Sequence, residues 1–170
     1  MRAFLYAARL KRAQGKYIPA LQDFKRWLTL WAQVYGTQHP EYPFYLAEMA
    51  DGYWLARDLS SAKKAYEKAV SLILTQVDKL FNGLTESEKS RYWARVRRVL
   101  EHYYAFAFSQ GTEKTRLKAY EVYLATKAFL LTETAQLRAR LAKSRDTTVQ
   151  NLFQAWQDQK EYVVRLYAYS

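Results

Sequence analysis

Two stretches decide the fold: "GKYIPALQDFKRWL", residues 15–28, and "RDLSSAKKAYEKAV", residues 57–70. Laid over each other at an offset of 42 residues, Tyr17 falls on Leu59, Ala20 on Ala62, Phe24 on Tyr66 and Leu28 on Val70. Small positions meet small ones and large positions meet large ones. A register of that kind marks a repeated structural unit, and the identity of that unit governs the rest of the reading.

The composition narrows the choice. Only five glycines and three prolines occur in 170 residues, too few for a turn-rich β protein and in keeping with long helices. No segment alternates apolar and polar residues as a half-buried strand would. The fold class is therefore all-α. Cysteine is absent, which removes disulfides, thiolate metal sites and a cysteine nucleophile and suits a reducing compartment such as the cytoplasm. No apolar run is long enough to span a membrane, and Arg9, Lys11 and Arg12 interrupt the first apolar stretch too early for a signal peptide. The net charge is +11, spread over both halves of the chain, so one dense nucleic-acid patch is not indicated.

Seven helices are expected. The first spans residues 2–13 and ends at Gly15, which tolerates the left-handed conformation after a helix. The second runs from Pro19 to about Tyr35, before the helix-breaking "GTQHPEYP" at 36–43. The third covers Pro43 to Arg57; the fourth starts on a Ser60 or Ser61 cap and reaches Leu80. "TESE" at 85–88 reads as a capping box opening a fifth helix that buries Tyr92, Val96, Val99, Tyr103 and Phe106. The sixth, from Glu113 to Lys143, holds "YEVYLATKAFLL", apolar nearly all round and so expected to be the most buried helix. Asp146 caps the seventh, which carries Leu152, Trp156, Val163 and Leu166 on one face.

Paired helices with a small residue at the crossing and an aromatic one turn later resemble the tetratricopeptide repeat. Ala8, Gly15, Tyr17, Ala20 and Phe24 match its spacing in the first copy, and Ala50, Ala62, Tyr66 and Ala69 in the second. Trp27 stands where the consensus has alanine and Arg57 where it has glycine. The period exceeds the usual repeat of about 34 residues. The longer second helix and the Gly36…His39-Pro40 loop resemble the kinesin-light-chain-like subtype. The remainder, from "LTESEKSRYW" through "LATKAFLLTETAQLR" to "SRD" and "RLY", resembles the helical segment preceding the protease core of CHAT-domain, caspase-like proteins. The resemblance implies a right-handed array of two hairpins over 1–80, with three further helices over 81–170 packed on it as one continuous unit. It also implies that the His and Cys of the protease belong to a separate α/β core.

No constellation for chemistry emerges. His39 reads as part of its turn, and two histidines without cysteine do not make a zinc site. Neither a phosphate loop nor a nucleophile motif is present, and no cofactor or metal is expected. By resemblance, Leu5, Arg9 and Arg12 of the first copy and Ala47, Asp51 and Trp54 of the second face a partner-binding groove. Arg91, Arg95, Arg98 and His102 step along the fifth helix as a basic stripe, and Arg138, Arg140, Lys143 and Arg145 form a second basic group. The sequence thus points to a non-enzymatic module for a protein or peptide partner, its own CHAT protease domain included. The alternative is an RNA-binding helical module that uses the basic stripes.

Overall fold

The computed structural model describes residues 2–168. Among them are seven α-helices, one 3-10 turn and no strand. They are α1 (Arg2–Ala13), α2 (Tyr17–Tyr35), α3 (Tyr42–Leu55), α4 (Leu59–Leu80), α5 (Glu86–Gln110), α6 (Glu113–Ala142) and α7 (Thr147–Ala168), with the 3-10 turn at Phe81–Gly83. The chain divides into two compact units, Met1–Glu121 and Val122–Ser170.

In the first unit α1 packs on α2, α2 on α3, α3 on α4, and α5 on both α3 and α4. The two hairpins, α1/α2 and α3/α4, reproduce each other at the 42-residue offset. Ala8 and Ala20 are buried in the first crossing, and Ala50 and Ala62 in the second. Without a side chain beyond Cβ, these residues let helix axes approach to roughly 8–10 Å. Phe24 and Tyr66 fill the space one turn on, and both are buried. Each first helix also closes the same way. The Gly15 N–H donates to the Arg12 carbonyl and Lys16 N–H to Lys11; the Arg57 N–H donates to Trp54 and Asp58 N–H to Tyr53. This paired closure needs a left-handed residue, and Gly15 has φ 74° while Arg57 has φ 64°.

Trp27 replaces the consensus alanine without leaving the core. It is buried, edge-on to Tyr45 at 4.7 Å and to Phe24 at 5.3 Å. Trp31 lies beside it, and the His39 ring meets Trp31 at 5.0 Å while Nδ1 accepts the Glu41 N–H at 3.1 Å. His39 therefore shapes the turn into α3. Several boundaries shift from expectation, and α3 ends at Leu55, two residues before Arg57. α2 begins at Tyr17, which still leaves Pro19 in the first turn, where an amide is not needed. α4 is capped by Asp58, whose Oδ1 accepts the Ser61 N–H at 3.1 Å, so neither serine is the cap. The aspartate comes directly after the left-handed residue, where the chain turns into the helix.

The box at the start of α5 forms as expected: Glu88 N–H donates to Thr85 Oγ1 at 3.3 Å, and Thr85 N–H donates to Glu88 Oε2 at 2.9 Å. Val96, Val99, Tyr103 and Phe106 are buried, and Tyr92 is half-buried.

Burial in α6 and α7 departs from expectation. Tyr120, Tyr123, Leu124 and Leu131 of α6 are exposed, so its apolar middle is not the most buried part of the chain; α3, α4 and α5 hold the core. On α7 the stripe Leu152, Trp156, Val163 and Leu166 is exposed, while Val149, Phe153 and Gln157 form the half-buried row. A helix apolar on several sides can bury only as many sides as it has neighbours. Asp146 caps α7 as expected, accepting the Thr148 N–H at 2.8 Å.

Candidate binding groove

The first helices of successive hairpins, α1 and α3, and the following helix α5 line an open groove of about 840 Å³. Arg9 and Arg12 come from α1. Phe44, Tyr45, Ala47, Glu48 and Asp51 come from α3. Ala94, Arg95, Arg98, Val99 and His102 come from α5. The groove thus joins two sets of residues that were separate in the sequence, the proposed partner-facing positions and the basic stripe.

Its charges are ordered by helix. α3 supplies carboxylates, and α1 and α5 supply cations on either side. Arg9 grips Glu48 with two parallel hydrogen bonds, Nε to Oε1 at 2.8 Å and Nη2 to Oε2 at 2.7 Å. Arg12 stands 3.6 Å from the same carboxylate. Across the other seam, Arg95 holds Glu41 at 2.6 and 2.7 Å. Such two-pronged contacts fix orientation as well as charge. The Glu48 hydrogen bond raises the Arg9 pKa above its ordinary value, and the Glu41 hydrogen bond does the same for Arg95. Arg95 in turn holds the Glu41 carboxyl below the usual carboxylate range, against burial. The Arg95 guanidinium also lies over the Phe44 ring at 4.1 Å.

The third contact across the groove is a relay into the core. His102 Nδ1 lies 3.0 and 3.1 Å from the two Asp51 oxygens. A carboxylate only accepts, so Nδ1 carries the hydrogen. The buried Tyr66 hydroxyl donates to Asp51 from below. Burial first, and the Asp51 charge second, push the Tyr66 pKa far above its ordinary value, so it remains a donor at every physiological pH.

The remaining expected residues lie elsewhere. Leu5 is buried. Trp54 is half-buried with its ring 5.7 Å from Phe106, and neither residue is among those lining the groove. Arg91 is exposed one turn before Arg95. In the second unit the Arg138 guanidinium lies 5.7 Å from the Trp156 ring, while Arg140, Lys143 and Arg145 are exposed. The basic stripe of α5 is thus not uniform: Arg95 and His102 are paired, and Arg98 has no ion-pair partner among the described residues. Sequence reasoning passed over Glu41, Glu48 and Phe44, although their i, i+3 and i, i+4 spacing with Ala47 and Asp51 on α3 is a readable signal. No helix of the described residues is long and apolar enough to cross a membrane.

Residues 1–74 match the family model described as tetratricopeptide repeat, so this segment is a tetratricopeptide repeat region. The match ends within α4. No curated protein and no solved structure matches the chain.

Proposed function

We propose that this chain is a non-catalytic recognition module in which the groove across α1, α3 and α5 holds a segment of a partner protein. Tetratricopeptide repeats generally mediate protein–protein interaction, and stacked repeats present such surfaces on their inner helices. The observation that carries the reading is the groove's pre-set lining. Arg9 and Arg95 are fixed on carboxylates, and the half-buried Phe44 and Tyr45 line the same space. A partner therefore meets side chains that have already lost their rotamer freedom, which lowers the entropic cost of binding.

The finer reading is that the chain is the repeat part of a CHAT-type protein and holds or releases a neighbouring caspase-like core. The likeness of "TESE", "LATKAFLLTETAQLR" and "SRD" to that family's linking helices supports it. So does the kinesin-light-chain-like loop with its His39-Pro40 turn. In this reading the peptidase chemistry belongs to the neighbouring core.

Display of random peptides against the full chain tests the groove. Ala94 is exposed and lines it, so Ala94→Trp should abolish capture of selected peptides. Ser71→Trp, on the exposed face of α4, should leave capture intact. Equal capture by both variants refutes the groove reading. For the family, an α/β segment with His and Cys encoded alongside is expected; finding none refutes that part. A peptidase assay on this chain should show no turnover.

A further inference from the structure

We infer, resting on the groove reading above, that the partner segment presents one carboxylate next to an apolar side chain, and that Arg98 reads the carboxylate. Every acidic side chain lining the groove is already taken. Glu48 is held by Arg9 and Arg12, and Asp51 by Tyr66 and His102; at the seam beside them, Glu41 is held by Arg95. Arg98 lies between two of these contacts. Arg95 pairs with Glu41 and His102 with Asp51, so α3 and α5 run in the same direction along the groove. One turn on from Arg95, Arg98 is level with the stretch of α3 that presents Phe44 and Ala47.

The chemistry of an occupant follows from those surroundings. The Arg98 guanidinium is exposed and has no counterion among the described residues. Phe44, Ala47, Ala94 and Val99 line the same stretch, and a buried apolar side chain gains there what a polar one would lose. A carboxylate beside an apolar group satisfies both features at once, and guanidinium–carboxylate geometry favours it over a plain point charge. A polyphosphate fits less well. Glu48 and Asp51 recur along α3, with Glu41 just before its start, and a backbone with a charge on every nucleotide would lie against them. A long acidic run meets the same repulsion. The groove is therefore suited to a single acidic–apolar pair.

Short Gly/Ser peptides carrying Glu-Leu, Gln-Leu, Lys-Leu or Glu-Gly, and an oligouridylate, are the probes, each titrated against the full chain by fluorescence anisotropy. Glu-Leu is expected to bind most tightly. Arg98→Ala should weaken it by at least about tenfold and erase the preference over Gln-Leu, the size expected for a lost charge-assisted hydrogen bond. Arg98→Glu should invert the preference toward Lys-Leu. Arg98 is exposed, so unchanged circular dichroism and melting are expected for both variants. The inference is overturned by equal binding of Glu-Leu and Gln-Leu, by a Glu preference that survives Arg98→Ala, or by tighter binding of the oligouridylate. Charge-blind peptide binding that Ala94→Trp abolishes overturns this inference and leaves the groove reading standing. The absence of any peptide binding overturns both.

Discussion

Arg57 occupies the left-handed region at φ 64°, where its first-copy counterpart is Gly15 at φ 74°. A side chain there costs about 1–2 kcal/mol; glycine would recover only part of that, because it loses more entropy on folding. Arg57→Gly should therefore raise the melting temperature, with a net gain of about 0.5–1 kcal/mol in denaturant unfolding. Gly15→Ala should lower it. No change on Arg57→Gly would show that the backbone conformation is not under strain. Asp51 offers a second test. Asp51→Ala leaves the buried Tyr66 hydroxyl without its acceptor, a loss of about 1–3 kcal/mol, whereas Tyr66→Phe removes both the donor and the need for one. Urea melts should show Asp51→Ala as the more destabilising of the two. The backbone requirement at Arg57 was legible in the sequence as a departure from a consensus glycine. The Asp51 relay was not, because it joins residues 15 and 51 positions away, and a single helix pattern does not encode such contacts.

Helix identity and order were the most readable features. The small–aromatic spacing, the glycines and the Thr85–Glu88 box all act within a few residues of themselves. Thr85→Ala should cost α5 about 1 kcal/mol, read by chemical unfolding of the intact chain. Pairing between helices was less legible. Arg9 meets Glu48 across 39 residues and Arg95 meets Glu41 across 54, so cations that looked free in sequence proved to tie neighbouring helices. The Glu41–Arg95 tie also has a pH signature. Hydrogen bonding to Arg95 holds the folded Glu41 pKa below its ordinary 4.5. Its contribution to stability is then complete above that value and lost as the pH falls through the lowered folded value. Thermal melts of the wild type and Glu41→Gln should differ most above the ordinary carboxylate range and converge below it. A gap that stays constant on acidification would contradict the tie.

At the scale of the whole chain, the repeat offset foretold the hairpins, while apolar content misled about burial. The core lies in α3, α4 and α5; α7 keeps Leu152, Val164, Leu166 and Tyr167 exposed, and α6 keeps Leu131. Protection from exchange follows burial and local packing. Amide hydrogen exchange should therefore be slowest around Ala50, Tyr66, Ile73 and Tyr103, and faster through Val122–Ala168. Uniform protection across both units would contradict that distribution.

The most direct test of groove recognition is an amide chemical-shift map of the labelled full chain titrated with the Glu-Leu peptide. The account predicts shifts clustered at Ala47, Ala94, Arg98 and Val99, absent in Ala94→Trp. Shifts confined to Arg140, Lys143 and Arg145, with those groove amides unmoved, would contradict it.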